Sequence, residues 1–203
     1  NTQAGKALPM PYLTSARDFV DQHQLGLHLD GARAFNATVF HQKSIAEIIK
    51  PFDTASLCLS KGLGAPVGSV LCGEKQLIGK ARRWRKMLGG GMRQAGVIAA
   101  AGIYALENNI ERLQQDHQLA ELLAEGLRKI DDIVVRREAC QTNMVFIDLP
   151  VEKAAALQEY LCEQQIRIAV GQTIRLVTHL NVTKEDVDRV VREIERFFDR
   201  YIP

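Results

Sequence analysis

The apolar positions of this chain follow two spacings, and the switches between them mark its elements. Leu13, Ala16, Phe19 and Val20 form a helical stripe over residues 13–24, with Thr14 or Ser15 able to cap it. Over residues 25–29 the spacing shortens to two. Leu25, Leu27 and Leu29 share one face and His28 and Asp30 the other, which predicts a strand. A short helix over residues 44–49 ends before Pro51, and residues 54–59 read as a second strand. Strand, helix, strand is a crossover unit, so the two strands run parallel with their carboxyl ends on one edge. Residues 67–72, between Pro66 and Gly73, predict a third strand.

From Glu74 the pattern turns helical, with Leu77, Ala81, Trp84 and Leu88 on one face and Gly89-Gly90-Gly91 as the stop. A helix rich in Ala and Gly over residues 94–108 suits close packing, and a polar-faced helix follows over 110–128. Beyond Asp131 come short strands at 133–136, 143–149 and 173–177, with helices at 151–164 and 183–200. The last helix carries Val187, Val190, Val191, Ile194, Phe197 and Phe198, and Thr183 and Asp186 stand at capping-box spacing at its start. The expected fold class is α/β. Residues 1–110 form part of a large domain with a mostly parallel sheet, 111–130 a connecting helix, and 131–203 a small α+β domain.

The chemistry concentrates at the ends of the first two strands. One delivers Asp30, followed by Gly31-Ala32-Arg33, and the other delivers Lys61 within Ser60-Lys61-Gly62-Leu63-Gly64. Parallel strands in α/β sheets present their carboxyl ends to ligands. A carboxylate and a lysine on two such ends suit a pyridoxal-phosphate enzyme. The carboxylate keeps the ring nitrogen protonated, and the lysine forms the Schiff base.

Composition narrows the classes further. The 203 residues are 46% apolar and 25% charged, as in an ordinary globular protein of one large domain or a domain and a half. A net charge of +2 argues against a protein that holds nucleic acid by overall charge. No apolar run approaches the roughly 20 residues of a membrane span, and no leader pattern of basic start, apolar run and cleavage site is seen. Cys58, Cys72, Cys140 and Cys162 contain no C-x-x-C pair and read as reduced core thiols of a cytosolic protein rather than disulfides or zinc ligands. The polar opening Asn1–Lys6, without Met, reads like an internal loop and predicts a piece of a longer polypeptide.

Taken together, His28-Leu29-Asp30-Gly31-Ala32-Arg33, Ser60 to Ser69, Arg83 to Gln94, Thr142 to Phe146 and Ile174 to His179 resemble the low-specificity L-threonine aldolases in order and spacing. The resemblance implies a fold-type-I, pyridoxal-phosphate-dependent enzyme that cleaves L-threonine and L-allo-threonine reversibly to glycine and acetaldehyde. It implies Lys61 as the Schiff-base lysine and Asp30 as the partner of the pyridinium nitrogen. Arg175, with Arg33, would hold the substrate carboxylate, and Arg33 would also lie at the cofactor. Lys86 and Arg93 are implied as residues that a neighbouring subunit lends to the cofactor region, in a cytoplasmic homotetramer active as dimers that share sites. The family's chains are longer at the amino end, and an amino-terminal portion of the same enzyme would carry the phosphate cradle and a ring-stacking histidine.

Plainer roles stand beside these. Asp30 could cap a helix start, Lys61 could be a solvated loop lysine, and Arg175 or Arg33 could pair with local carboxylates. The basic run Arg82-Arg83-Trp84-Arg85-Lys86 suggests a nucleic-acid face, but Trp84 fits the apolar stripe and is better explained by packing. His28 shares a face with Asp30, which suggests a catalytic dyad, but a strand histidine is more often a packed, hydrogen-bonded core residue, and His179 reads similarly. The sequence holds no Ser-His-Asp elbow, no H-E-x-x-H and no Walker loop, so neither a metal site nor phosphoryl-transfer chemistry is expected. Two other functional readings stay open: another fold-type-I activity (a β-eliminating lyase or an aminotransferase), and a cofactor-free fragment without activity of its own.

Overall fold

The computed structural model describes residues 5–136 and 141–200. These residues form two compact units, one of Ala7–Leu113 and one of residues 5–6 and 114–200.

The first unit runs α1 (Met10–Gln22), β1 (His28–Gly31), α2 (Ala34–His41), α3 (Ile45–Ile49), β2 (Thr54–Cys58), β3 (Ser69–Gly73), α4 (Lys75–Met87) and α5 (Gly96–Asn108). Pro9, not a hydroxyl, opens α1. Thr14 and Ser15 lie inside that helix and donate back to the Met10 and Pro11 carbonyls at 3.3 and 3.1 Å, a correction to their expected capping role. The first strand begins three residues later than expected. The Leu25 N–H still closes the helix end on the Val20 carbonyl at 2.8 Å, with Gln24 left-handed at φ 53°. Pairing then starts at His28. β1 runs parallel to β2, placing Asp30 opposite Ser56 and Gly31 opposite Leu57, as the crossover predicts. β3 returns antiparallel on the far side of β2.

The crossover contains a helix, α2, that the periodicity did not reveal. Its buried positions include Asn36 and Thr38 beside Ala34 and Phe35, so its inward face carries no clean apolar stripe. α3 has the full capping box: Glu47 N–H donates to Ser44 Oγ, and Ser44 N–H donates to Glu47 Oε2. Ala55, Leu57 and Leu59 of β2 and its extension join Phe35, Leu63, Ala105 and Leu113 in the core. Packing on α5 is close at Gly102, where an added Cβ would lie 3.0 Å from Leu59 Cδ1. Trp84 departs from expectation. α4 packs against β3 but buries no residue, and Trp84 stays 59% exposed along with Leu77 and Leu88. The apolar stripe is real, yet the described residues do not cover it.

Gly31 is required by the closeness of β1 and β2. A Cβ there would stand 2.7 Å from the Ser56 carbonyl oxygen and 2.8 Å from Leu57 Cδ2. The carbonyl belongs to the paired strand and cannot swing away. Gly31→Ala is therefore expected to cost about 2–3 kcal/mol, read as a lower urea midpoint with unchanged slope.

The second unit comprises α6 (Leu113–Leu127, its first residue counted with the first unit), β4 (Val134–Val135), β5 (Met144–Asp148), α7 (Val151–Glu163), β6 (Thr173–Val177) and α8 (Lys184–Arg200). The strands form an antiparallel sheet in the order β4-β5-β6. Val145, Ile147 and Ile174 pack with Leu123 and Leu127 of α6, Leu157 and Leu161 of α7, and Ile194 and Phe197 of α8. The expected capping box of α8 is present: Asp186 Oδ2 accepts from Thr183 N and Oγ1, both at 2.9 Å. Glu193, buried on the same helix, accepts from Tyr160 Oη at 2.8 Å and Arg196 Nη1 at 2.7 Å.

The thiols need one correction. Cys58 and Cys72 are half-buried and free, but Cys162 is exposed on α7 rather than in the core, because it falls off the Leu157–Leu161 face. Cys140 lies outside the described residues. No helix among the described residues is long and apolar enough to cross a membrane.

His117 on α6 supplies a pH dependence. Burial pushes its pKa from 6.5 down to about 4, so the folded chain keeps it neutral where the unfolded chain is already protonated. Between those values the unfolded state binds more protons, and stability falls as pH drops from 6.5 toward 4. Allowing for partial solvent access, about 2 kcal/mol is expected to be lost by this route. Urea midpoints at neutral pH and near pH 4.5 should therefore differ more for the wild type than for His117→Gln.

Candidate active site

Asp30 is the third residue of β1 and points away from the core. Its Oδ1 accepts the Ala32 N–H at 3.1 Å, a local turn that opens the way to α2. Its other oxygen has no hydrogen-bond partner among the described residues. Gly31, lacking a Cβ, lets this turn sit directly against β2. Arg33 follows at the N-cap of α2, half-buried.

Lys61 comes three residues after Cys58, the last residue of the parallel neighbour β2. Its loop is held at several points. Gly64 N–H donates to the Lys61 carbonyl at 2.9 Å, Ala65 N–H to Leu59 at 3.1 Å, and Leu59 N–H to Gly68 at 3.0 Å. Gly64 takes φ +75°, which a side chain would resist. Leu63 is only 2% exposed, and its carbonyl accepts from Asn109 Nδ2 at 2.7 Å. The backbone is thus anchored while the Lys61 side chain is exposed, with no ion pair or hydrogen bond to any described residue.

Asp30 and Lys61 therefore leave the same edge of two paired parallel strands, and no bond between them consumes either charge. The lysine also acts on its neighbour Cys58. Burial opposes the thiolate, but Ser60, whose Oγ lies 3.6 Å from the Cys58 Sγ, and the Lys61 charge together hold the thiol below its ordinary range.

His28 corrects expectation: it is exposed, and its Nδ1 lies 2.7 Å from Thr54 Oγ1 on the paired strand. The face it shares with Asp30 is open among the described residues, where it is no core histidine. His179 is likewise exposed, its Nδ1 accepting the Asn181 N–H at 3.3 Å.

Lys86 lies in the last turn of α4 and is exposed. The turn closes through Gly90 N–H to the Arg85 carbonyl at 2.8 Å, and a Cβ on Gly91 would strike the Lys86 stem. Arg93 is exposed ahead of α5. Neither residue forms a hydrogen bond with Asp30 or Lys61 among the described residues.

Arg175 belongs to the second unit. It stands on β6 opposite Phe146, exposed, and lines a cavity of about 510 Å³. The sequence block around it has a structural task. Thr178 N–H donates to the Asn143 carbonyl at 3.0 Å, Asn143 Nδ2 to the Thr178 carbonyl at 2.9 Å, and Thr178 Oγ1 to the Asp116 carbonyl at 2.6 Å. These buried bonds tie β5 to the end of β6 and fix the strand that carries Arg175. Sequence reasoning missed Asn109, which pins the Lys61 loop, and Arg167, which lines the Arg175 cavity. Neither lies in a periodic pattern.

Asp30 and Lys61 thus stand at the ends of neighbouring parallel strands of an α/β unit. The chain belongs to the beta-eliminating lyase family, whose model matches residues 1–150. It is 48% identical over 200 residues to the low specificity L-threonine aldolase of Escherichia coli (strain K12), covering 98% of this chain and 59% of that protein. The low-specificity L-threonine aldolase 1 of Arabidopsis thaliana is 43% identical, covering 92% of this chain and 54% of that protein. This chain therefore spans little more than half the length of these curated relatives. The fold matches the Leishmania major threonine aldolase structure with a TM-score of 0.80 at 20% identity, covering 97% of this chain and 58% of that one. The Sphingomonas wittichii serine palmitoyltransferase shares it more distantly, with a TM-score of 0.69 at 17% identity, covering 93% of this chain and 51% of that one.

Proposed function

We propose that this chain is part of a pyridoxal-phosphate-dependent threonine aldolase, cleaving L-threonine and L-allo-threonine to glycine and acetaldehyde. The observation that carries this reading is the common carboxyl edge of β1 and β2, with Asp30 on one strand and Lys61 beyond the other. The 48% identity to a named aldolase supports the choice of reaction.

The donor set suits the cofactor's ring. Lys61 offers an amine, and Asp30 one carboxylate oxygen, without a hydrogen-bond partner among the described residues, and Gly64 lets the backbone turn without a side chain in the way. When bound, pyridoxal phosphate supplies an electron sink for the pair released as the Cα–Cβ bond breaks. Lys61 Nζ is the covalent holder, and Asp30 keeps the proton on the ring nitrogen by its negative charge. Arg175 grips the substrate carboxylate with its planar guanidinium and so fixes which Cα bond is oriented for cleavage. Arg33 backs that grip and contacts the cofactor. Lys86 and Arg93 reach the cofactor region of a neighbouring subunit, in a cytoplasmic homotetramer of site-sharing dimers.

The test is a product assay with pyridoxal phosphate and L-threonine. Glycine and acetaldehyde in equal amounts support the aldolase. Ammonia with a keto acid instead would identify β-elimination, and turnover only with an added keto acid would identify an aminotransferase.

A further inference from the structure

The cavity that bears Arg175 carries a second cation that the reaction above does not use. Arg167 lines it too, together with His179, over an apolar floor that includes Ile168, Leu176 and Val182. Neither guanidinium has a hydrogen bond or ion pair with a described residue. The one acid on the lining, Asp186, is already committed to the Thr183 N–H and hydroxyl.

Arg167 is presented by a tied segment. Gln165 ends α7 in the left-handed region at φ 59°, and the Ile166 N–H returns to the Leu161 carbonyl at 2.8 Å. Arg189 Nη2 holds the Gln164 carbonyl at 2.6 Å, and Gln158 Nε2 donates to the Ile168 carbonyl at 3.4 Å. The residues on both sides of Arg167 are therefore fixed while its own side chain is exposed and unspent. Two unspent guanidiniums on one cavity of about 510 Å³ match an anion with two charged ends better than a single carboxylate.

We propose that Arg167 is a second carboxylate-binding residue of this cavity, so that the second unit binds a short dicarboxylate, one end on Arg175 and the other on Arg167. The substrate class of the site then extends to amino acids with a second carboxylate. This rests on the reading of Arg175 as the carboxylate holder.

The experiment titrates this chain with succinate and with acetate at constant ionic strength, following arginine side-chain NMR signals. Wild type is expected to bind succinate about tenfold more tightly than acetate. Arg167→Met should bring succinate to the acetate level, and Arg167→Lys should keep part of the preference. Arg167 makes no bond that the fold uses, and far-UV circular dichroism checks that each variant is folded. Equal binding of the two anions by wild type, or a preference that survives Arg167→Met, overturns the proposal. In those cases, loss of acetate binding in Arg175→Met would leave the Arg175 reading standing. Acetate binding indifferent to Arg175→Met overturns both.

Discussion

Lys61→Ala is expected to lower threonine cleavage by at least about a thousandfold while leaving the fold intact. The two halves of that expectation have separate causes. The fold is spared because the loop is held by backbone bonds among Leu59, Lys61, Gly64, Ala65 and Gly68 and by the buried Leu63, none of which uses the lysine side chain. An exposed side chain without partners changes stability by no more than about 0.5 kcal/mol on removal. Activity is lost because no other described group at this edge offers an amine. Lys61→Arg sharpens the test. It keeps the positive charge, but a guanidinium stays protonated and is no nucleophile. Equal loss in both variants identifies the amine itself as the requirement. Recovery in the arginine variant would mean that only charge is needed there.

Asp30→Asn is expected to reduce kcat by about 10²–10³-fold with a much smaller effect on stability. Asparagine keeps the oxygen that accepts the Ala32 N–H at 3.1 Å, so the turn into α2 survives. What disappears is the negative charge, and with it the means of holding a proton on a basic ring nitrogen. Steady-state kinetics and urea unfolding, run on the same preparation, separate the two effects. A variant that loses stability and activity together would assign Asp30 to the turn alone.

The parts of this fold that were legible in the sequence are those set by near neighbours along the chain. β6 follows its apolar alternation over Thr173–Val177, and α8 follows its stripe and the Thr183–Asp186 box. The parallel pairing of β1 and β2 was also legible, because a helix-length crossover leaves little choice of direction. Other features depend on what lies across space. α2 escaped because Asn36 and Thr38 take buried positions that periodicity gives to apolar residues. Trp84 was read as packed because an apolar stripe reveals that a helix has a partner face, but not whether this chain fills it. His28 reads as core because a strand histidine is more often packed than open, which says nothing of what covers its particular face. In the site, Asp30 and Lys61 stood out through strand ends and glycine turns. Arg167, between two isoleucines outside any regular element, gave no local signal.

The central claim is that Lys61 holds the cofactor, and the most direct test is to add pyridoxal phosphate, reduce with borohydride and map the pyridoxyl label by peptide mass spectrometry. The result expected is labelling concentrated on Lys61 and lost in Lys61→Ala. A label spread over exposed lysines such as Lys80 and Lys86, unchanged in the variant, would contradict it.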